Sequence, residues 1–564
     1  MDIELDKVNS RKTATASVVL QPSTSLRSVV AASVEVSQAG PTPSPGASET
    51  AAVDNANEQS ATDTEQGGYE VPTMTKLELQ LTFISLSVVG FLANLDTSVV
   101  ATAMPTIASE FNYLSQQGWI ILSYLLTLTV FQPLMGRACD LFGSRSVLFV
   151  SIFVFEFGSL LCALAKNFVW LCCARAIAGI GGAGIMIGVM VIVSQIVPLR
   201  ERGNYMGIMY ARIIIATVLG PLIGGLFVSF DWRWCFWINL VIAVPGLAIL
   251  VLFAKKLPHI KKADVSWRDI DFGGIAILAV FVVSMCLAFN WGGVAFPWNS
   301  KIVIVLLVVG FALVPAFITW EIKVPSYPVI PMKMFRFRNV TTSTVNNFFT
   351  ASVLQGVFIY LPSYYQIVRH DKQIISGLEV LPYIMPFFLT SIASGLIISK
   401  TGSVRGLLWL GGFFNIVGSG LLIMLNGRHP RAVEYILLIL TGVAGGPIVQ
   451  ASLISAQSQV TKDLLATVTT MTMWSRSLGG IIGVAMQGSI INNIFKRGIL
   501  ENATAAPYVA QLLAVENVST LPLDVQATAA QSYGAAFQMM MVATTVFCLP
   551  GFMFSLVAKK EKLS

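Results

Sequence analysis

Two carboxylates, Asp96 and Glu156, and two arginines, Arg175 and Arg212, stand inside runs of apolar residues long enough to cross a bilayer. A charged side chain at the centre of a membrane helix is unfavourable by about 2.5–3.5 kcal/mol on insertion scales, so such residues are expected to be paired, wet or functional. For Asp96 the functional reading is an acid that carries a proton or faces a substrate; the structural one is a hydrogen bond to Ser98 or to a neighbouring helix. Glu156, in Phe155-Glu156-Phe157-Gly158, divides between a proton site and an interhelical contact. An arginine does not lose its proton, but it favours the ionised form of a nearby carboxylate and so can gate proton release. Arg175, on a helix that Gly179, Gly181, Gly182 and Gly184 keep slim, divides between that role and a helix-end arginine that snorkels to the interface.

Arg212, Ala216, Gly220 and Gly224 are spaced four apart and share one helix face. Gly220 and Gly224 form a small-residue pair that lets two helices approach closely, Pro221 removes a backbone donor and can kink the helix, and Gly225 follows. Arg212 on that seam requires either an acid, such as Glu156, or an anionic ligand. In the latter case it would bias the cavity toward acidic substrates. Gly136, Asp140, Gly143 and Arg145 make a short basic turn between two apolar runs. There Asp140 can latch onto an arginine or a helix N-terminus. In the later half Asn346, Asn347 and Gln355 fall on one run, with Tyr360, Tyr364 and Tyr365, and Gln450, Trp474 and Arg476 on two others. These polar and aromatic groups either line an amphipathic cavity or, for the Tyr pair, form an interfacial belt.

The elements that must position these groups follow from composition. The 564 residues are 55% hydrophobic and 12% charged, against about 45–50% and about 25% in soluble domains. Residues 1–74 carry ten acids and four bases among Ser, Thr, Ala and Pro, and read as a disordered tail. Fourteen apolar runs follow, near 80–103, 117–136, 146–166, 168–194, 204–228, 235–254, 272–291, 302–320, 340–362, 376–398, 405–425, 433–454, 467–494 and 533–557. The expected fold is an all-α membrane protein. Nineteen Lys and Arg fall on the side of the N-terminus and nine on the other, which predicts both termini in the cytoplasm. Residues 496–532 then form an extracytoplasmic loop with acceptor sequons at Asn502 and Asn517, while the sequon at Asn339 faces the cytoplasm and stays bare. Gly395 and Gly402 repeat the seven-residue spacing of Gly136 and Gly143, with Ser399 in the place of Asp140, which suggests two related halves. No cysteine spacing suggests disulfides or a metal site, all three histidines fall in polar connections, and no glycine–lysine dipeptide is present to build a phosphate-binding loop. The reading therefore has no cofactor, no metal, no nucleic acid and no enzymatic site. The partners expected are a small-molecule substrate, protons and membrane lipid, with the chain a monomer.

Leu95-Asp96-Thr97-Ser98-Val99-Val100, the turn from Gly136 to Arg145, the run Gly220-Pro221-Leu222-Ile223-Gly224-Gly225 and the segment from Asp231 to Asn239 together resemble the major facilitator superfamily, in particular its fourteen-helix drug:proton antiporters of fungal type. The resemblance covers about 75–557. It implies two six-helix halves, 75–254 and 339–557, two extra helices and linking loops in 255–338, and a short tail at 558–564. It also implies proton-coupled export of a secondary metabolite, toxin, lipid-like product or drug across the cell membrane. The alternatives are a vacuolar basic amino-acid transporter and a sensor that keeps the fold without transporting. Leu141 and Ser144 stand where the family's loop often has basic residues, Ala216 replaces a frequent glycine, and Arg212 occupies a position usually uncharged.

Overall fold

The computed structural model describes residues 75–113, 116–199, 201–253, 270–293, 296–461, 464–514 and 521–560. The expected tail at 1–74, the sequon residue Asn517, the basic connection at 254–269 and residues 561–564 lie outside the described residues.

Among the described residues fourteen long helices follow one another: α1 Lys76–Glu110, α2 Trp119–Phe142, α3 Ser144–Ala163, α4 Phe168–Ile196, α5 Arg202–Val228, α6 Trp234–Phe253, α7 Phe272–Trp291, α8 Lys301–Lys323, α9 Arg338–Val368, α10 Leu381–Thr401, α11 Arg405–Leu421, α12 Arg431–Gln457, α13 Leu465–Leu500 and α14 Leu523–Leu556. Several starts are set by local chemistry. Thr75 and Glu78 form a reciprocal capping box at α1, while Asn167, Asp271 and Ser300 cap α4, α7 and α8, each satisfying an otherwise orphaned N–H. Gly143 and Gly402 end α2 and α10 with φ of 85° and 65°, a backbone region that disfavours residues with a side chain.

Thirteen of these helices are long and apolar enough to cross a membrane. The fourteenth, α9, has 31 residues but is too polar for that test. The reason lies in packing: Asn339, Thr342, Ser343, Asn346, Asn347, Thr350 and Ser352 are all buried against neighbouring helices. Elsewhere large apolar side chains face outward, among them Val150 and Phe153 on α3, Val244 and Leu252 on α6, and Val308 and Phe311 on α8. Water would penalise such a surface, whereas lipid accepts it.

Packing repeats in the two halves. α1 packs on α4, α5 and α6, α2 on α4, and α3 on α4 and α6; α9 packs on α12, α13 and α14, α10 on α12, and α11 on α12 and α14. The halves meet through α2 with α13 and α5 with α10, which is the same pairing seen from each side, and α7 and α8 pack on each other with α7 against α2 and α13. The glycine spacing around Gly136 and Gly395 is thus the local trace of a repeated six-helix arrangement. The loop expected at 496–532 starts five residues later, because α13 runs to Leu500, and ends ten residues earlier, because α14 begins at Leu523; it contains a short helix, Val509–Ala514.

Candidate functional site: a buried ion pair and a closed end

Asp96 lies midway along α1 and Arg175 in the second turn of α4. Arg175 Nη1 donates to Asp96 Oδ2 at 2.7 Å, and both side chains are 0% exposed. The second carboxylate oxygen accepts from Asn239 Nδ2 of α6 at 2.9 Å, and Asn239 also reaches Ser159 Oγ of α3 at 3.3 Å. Arg175 Nε donates to the carbonyl of Ile120 on α2 at 3.2 Å, and its guanidinium lies 4.4 Å from the centre of the Tyr124 ring. One ion pair therefore ties together α1, α2, α4 and α6. Such a pair repays its desolvation only when the remaining lone pairs and protons are also satisfied; Asn239, Ile120 and the Tyr124 ring supply part of that, while Arg175 Nη2 is buried without a hydrogen-bond partner. Asp96 is held by Arg175 and Asn239 rather than by Ser98, whose hydroxyl bonds the carbonyl of Asn94.

Glu156 sits on α3, three residues before Ser159. It is half-buried, its Oε2 is buried without a hydrogen-bond partner, and the charged group acting on it is Asp96. It does not neutralise Arg212. That arginine is 6% exposed, donates to the carbonyl of Leu86 at 3.1 Å, packs its guanidinium against Gly90 of α1, and leaves its Nε without a partner. The seam it belongs to is close-packed. A β-carbon on Gly220 would overlap Ser98, and one on Gly224 would come within 2.7 Å of the Val99 carbonyl oxygen. Gly225, by contrast, faces open space.

A second set of contacts closes the end of the bundle where α2, α4, α10 and α12 finish and α5 and α13 begin. We call it the basic end, after its Lys- and Arg-rich connections. Thr467 of α13 donates to Asp140 Oδ2, and Arg137 lies 4.0 Å from the same oxygen. A β-carbon on Gly136 would overlap Thr470 of α13, and the backbones of Gly203 and Gly395 touch each other. Arg202 of α5 donates to Gln457 Oε1 of α12 at 2.8 Å and to the Ser194 carbonyl of α4 at 2.5 Å. Gln457 in turn donates to Thr469 Oγ1 at 2.7 Å. Arg145 is half-buried beside this turn.

The polar residues of the later half separate into different places. Gln450 is buried and donates to the Gly203 carbonyl at 3.2 Å, so it belongs to the closed end. Gln355 is exposed. Asn346 and Asn347 are buried, each with one polar atom unpaired, and Trp474 is half-buried with its indole N–H unpaired. Tyr364 and Tyr365 are buried rather than interfacial; Tyr364 donates to Glu434, which Arg369 also holds at 2.6 Å. Sequence reading names Asn239 only as the end of the segment from Asp231, with no role in the site, and passes over Arg202, Gln457 and Glu434 as site residues. Asn239 and Glu434 each interrupt an apolar run, which was the available signal; Arg202 and Gln457 read as ordinary loop-edge polarity.

The chain matches the Major Facilitator Superfamily over residues 86–484. It is 31% identical over 494 residues to the efflux pump dotC of Dothistroma septosporum, covering 86% of this chain and 85% of that one. It is 33% identical over 420 residues to the rubrofusarin-specific efflux pump aurT of Gibberella zeae, covering 74% and 77%. Among solved structures it resembles the human organic anion transporter MFSD10, with TM-score 0.53 at 14% identity over 83% of this chain and 99% of that one. It also resembles the proton:xylose symporter XylE, with TM-score 0.52 at 14% identity over 87% and 98%. The chain belongs to the Major Facilitator Superfamily. It is a multi-pass membrane transporter of the fungal efflux-pump type, and not an enzyme.

Proposed function

We propose that this protein exports small organic molecules, secondary metabolites or toxins, across the cell membrane in exchange for protons, as a monomer with its basic end toward the cytoplasm. The observation that supports this most is the Asp96–Arg175 pair, fully buried where four helices meet. Protonating Asp96 removes its charge and releases Arg175 from the pair, while the Ile120 carbonyl and the Tyr124 ring still hold the guanidinium. One proton can thus change how α1, α2, α4 and α6 are tied together. α1, α2 and α4 also pack, directly or through α5 and α13, on the contacts that close the basic end. In this reading the described state is closed toward the cytoplasm, and the crossing of α9 completes fourteen spans. The test is to compare the small molecules secreted by cells with and without the protein, together with microscopy of a tagged chain. An unchanged secreted profile, or location at the vacuole alone, contradicts the proposal.

Arg212 supports a bias within that substrate class. Among the described residues no carboxylate pairs with it, so its buried charge would favour a ligand with an acidic or strongly accepting group. Arg212→Gln is expected to lower export of an anionic substrate about 10-fold or more, the scale of one lost charge-assisted bond, and to spare a neutral one of similar size. Equal loss of both would make Arg212 structural.

The orientation has its own check. Asn502 lies in the connection before α14, where its side chain bonds Thr504 and Thr528. Asn339, at the other end, is buried against the backbone of Lys559. Glycan is expected at Asn502 and, outside the described residues, at Asn517. Mass spectrometry that finds glycan on Asn339 would overturn the topology.

A further inference from the structure

The helices α7 and α8 belong to neither six-helix half, and the pathway proposed above uses neither. At the basic end they hold two carboxylates. Asp271 caps α7, its Oδ1 accepting from the Gly274 N–H at 2.8 Å and from the Trp320 indole at 2.9 Å. Glu321, in the last turn of α8, accepts from the Ile330 N–H through Oε2 at 3.2 Å. One oxygen of each is thus bonded. The other oxygens, Asp271 Oδ2 and Glu321 Oε1, are buried without a hydrogen-bond partner. These two oxygens face one small gap, because a β-carbon on Gly274 would overlap Asp271 Oδ2 and lie 3.0 Å from Glu321 Oε1. The residues are 8% and 4% exposed.

Two ionised carboxylates do not share a buried gap without a cation or a proton to offset their repulsion. Among the described residues the surrounding charges do not supply the cation. Arg137 of α2 is the basic group that acts on Glu321, but it lies 4.0 Å from Asp140 and over the Tyr327 ring. Lys323 on α8 and Lys333 and Arg336 in the following turn are exposed. Among the described residues α13, which also packs on α7, presents no charged group at this end.

We propose that Asp271 and Glu321 together bind one proton taken from the cytoplasm, and that this second proton site sets how firmly Arg137 grips the gate carboxylate Asp140. With the proton bound, the pair carries one negative charge and Arg137 stays with Asp140, where the α2–α13 contact is closed. When the proton leaves, the pair carries two negative charges. Arg137, which lies over the ring of Tyr327 in the turn that follows α8, is then drawn toward α8, and the contact between α2 and α13 loosens. The extra helices thereby report cytoplasmic pH to the gate.

The proposal rests on the basic end being the cytoplasmic gate, and not on Asp96 as the coupling acid. Its test therefore uses no transported substrate. In full-length protein in lipid nanodiscs, infrared difference spectra between wild type and Glu321→Gln should show a protonated carboxylic-acid carbonyl band at neutral pH that is lost in the variant. Asp271→Asn, which keeps the oxygen that caps α7, should lose the same band. Gate opening is read at Cys139, buried beside Asp140, in a chain whose other cysteines are replaced. Labelling by a membrane-impermeant maleimide, divided at each pH by the rate for the same cysteine in denatured protein so that thiolate ionisation cancels, is expected to rise several-fold as pH increases in the wild type, and to stay at its low-pH value in both variants. A difference spectrum showing only ionised carboxylate at neutral pH would mean that the pair holds a cation or nothing, and would overturn the proposal. A Cys139 pH profile unchanged by both variants would do the same. If the labelling loses its pH dependence while Asp96 variants still transport normally, this site stands and the coupling role of Asp96 falls.

Discussion

Asp96→Asn is expected to abolish proton-driven export, with a fall of about 100-fold or more in transport rate, the factor that roughly 3 kcal/mol represents. Asparagine keeps the shape and one acceptor for Asn239, but it removes both the titratable group and the counter-charge of Arg175. An arginine left buried without its partner costs about 3–5 kcal/mol in stability, so loss of protein and loss of coupling must be told apart. Asp96→Asn combined with Arg175→Gln removes both charges and relieves that penalty. The expected outcome is a double variant that reaches the membrane at normal abundance and still fails to couple. If the double variant restores proton-driven export along with abundance, the pair is structural and the proton is carried elsewhere, with Glu156 the nearest candidate.

Leucine at Gly220 should also impair transport, for a different reason. A β-carbon there already overlaps Ser98 of α1, and a full side chain would push α5 from α1 along the face that carries Arg212, Ala216 and Gly224. Overpacking of this kind costs about 1–3 kcal/mol, too little to unfold a large helical bundle. It is enough to stop α5 and α1 from keeping one spacing through a conformational cycle. Transport is expected to fall at least about 10-fold by that cost, in protein that is still inserted in the membrane. Gly225→Ala serves as the control, since that position faces open space, and it should be nearly silent. Transport that survives Gly220→Leu would show that the close seam is not needed for the cycle.

Much of this architecture was legible because the bilayer imposes length and apolarity on every crossing segment. The clearest case was α8, whose outward face is almost entirely apolar. α9 shows the limit of that logic. Its run was found, yet its buried Ser, Thr and Asn residues make it more polar than a lipid-facing helix, because its partners are other helices. Asp96 and Arg175 stood out as charges in apolar sequence, but nothing in their spacing of 79 positions shows that they meet, since that requires α1 and α4 to pack. Asn239 was hidden for the same reason. Gln450 was grouped with cavity candidates by residue type alone, and its bond to Gly203 depends on how the two halves close. The pairing of Arg202 with Gln457 likewise spans 255 positions, a separation that no local pattern encodes. Arg212 is the reverse case: its charge is anomalous in the sequence, and a buried side chain with no acid beside it among the described residues keeps it so.

In the proposed mechanism export is driven by protons through Asp96. This is tested most directly with purified protein in liposomes, given a metabolite extract of the source organism, an imposed pH gradient and a pH-sensitive dye inside. Mass spectrometry then identifies which molecules move. Wild type is expected to carry at least one compound against its gradient only when the pH gradient is present, with matching proton movement, and Asp96→Asn to show neither. Transport of the same compounds at the same rate without a pH gradient, or unaltered proton-linked transport by Asp96→Asn, would contradict it.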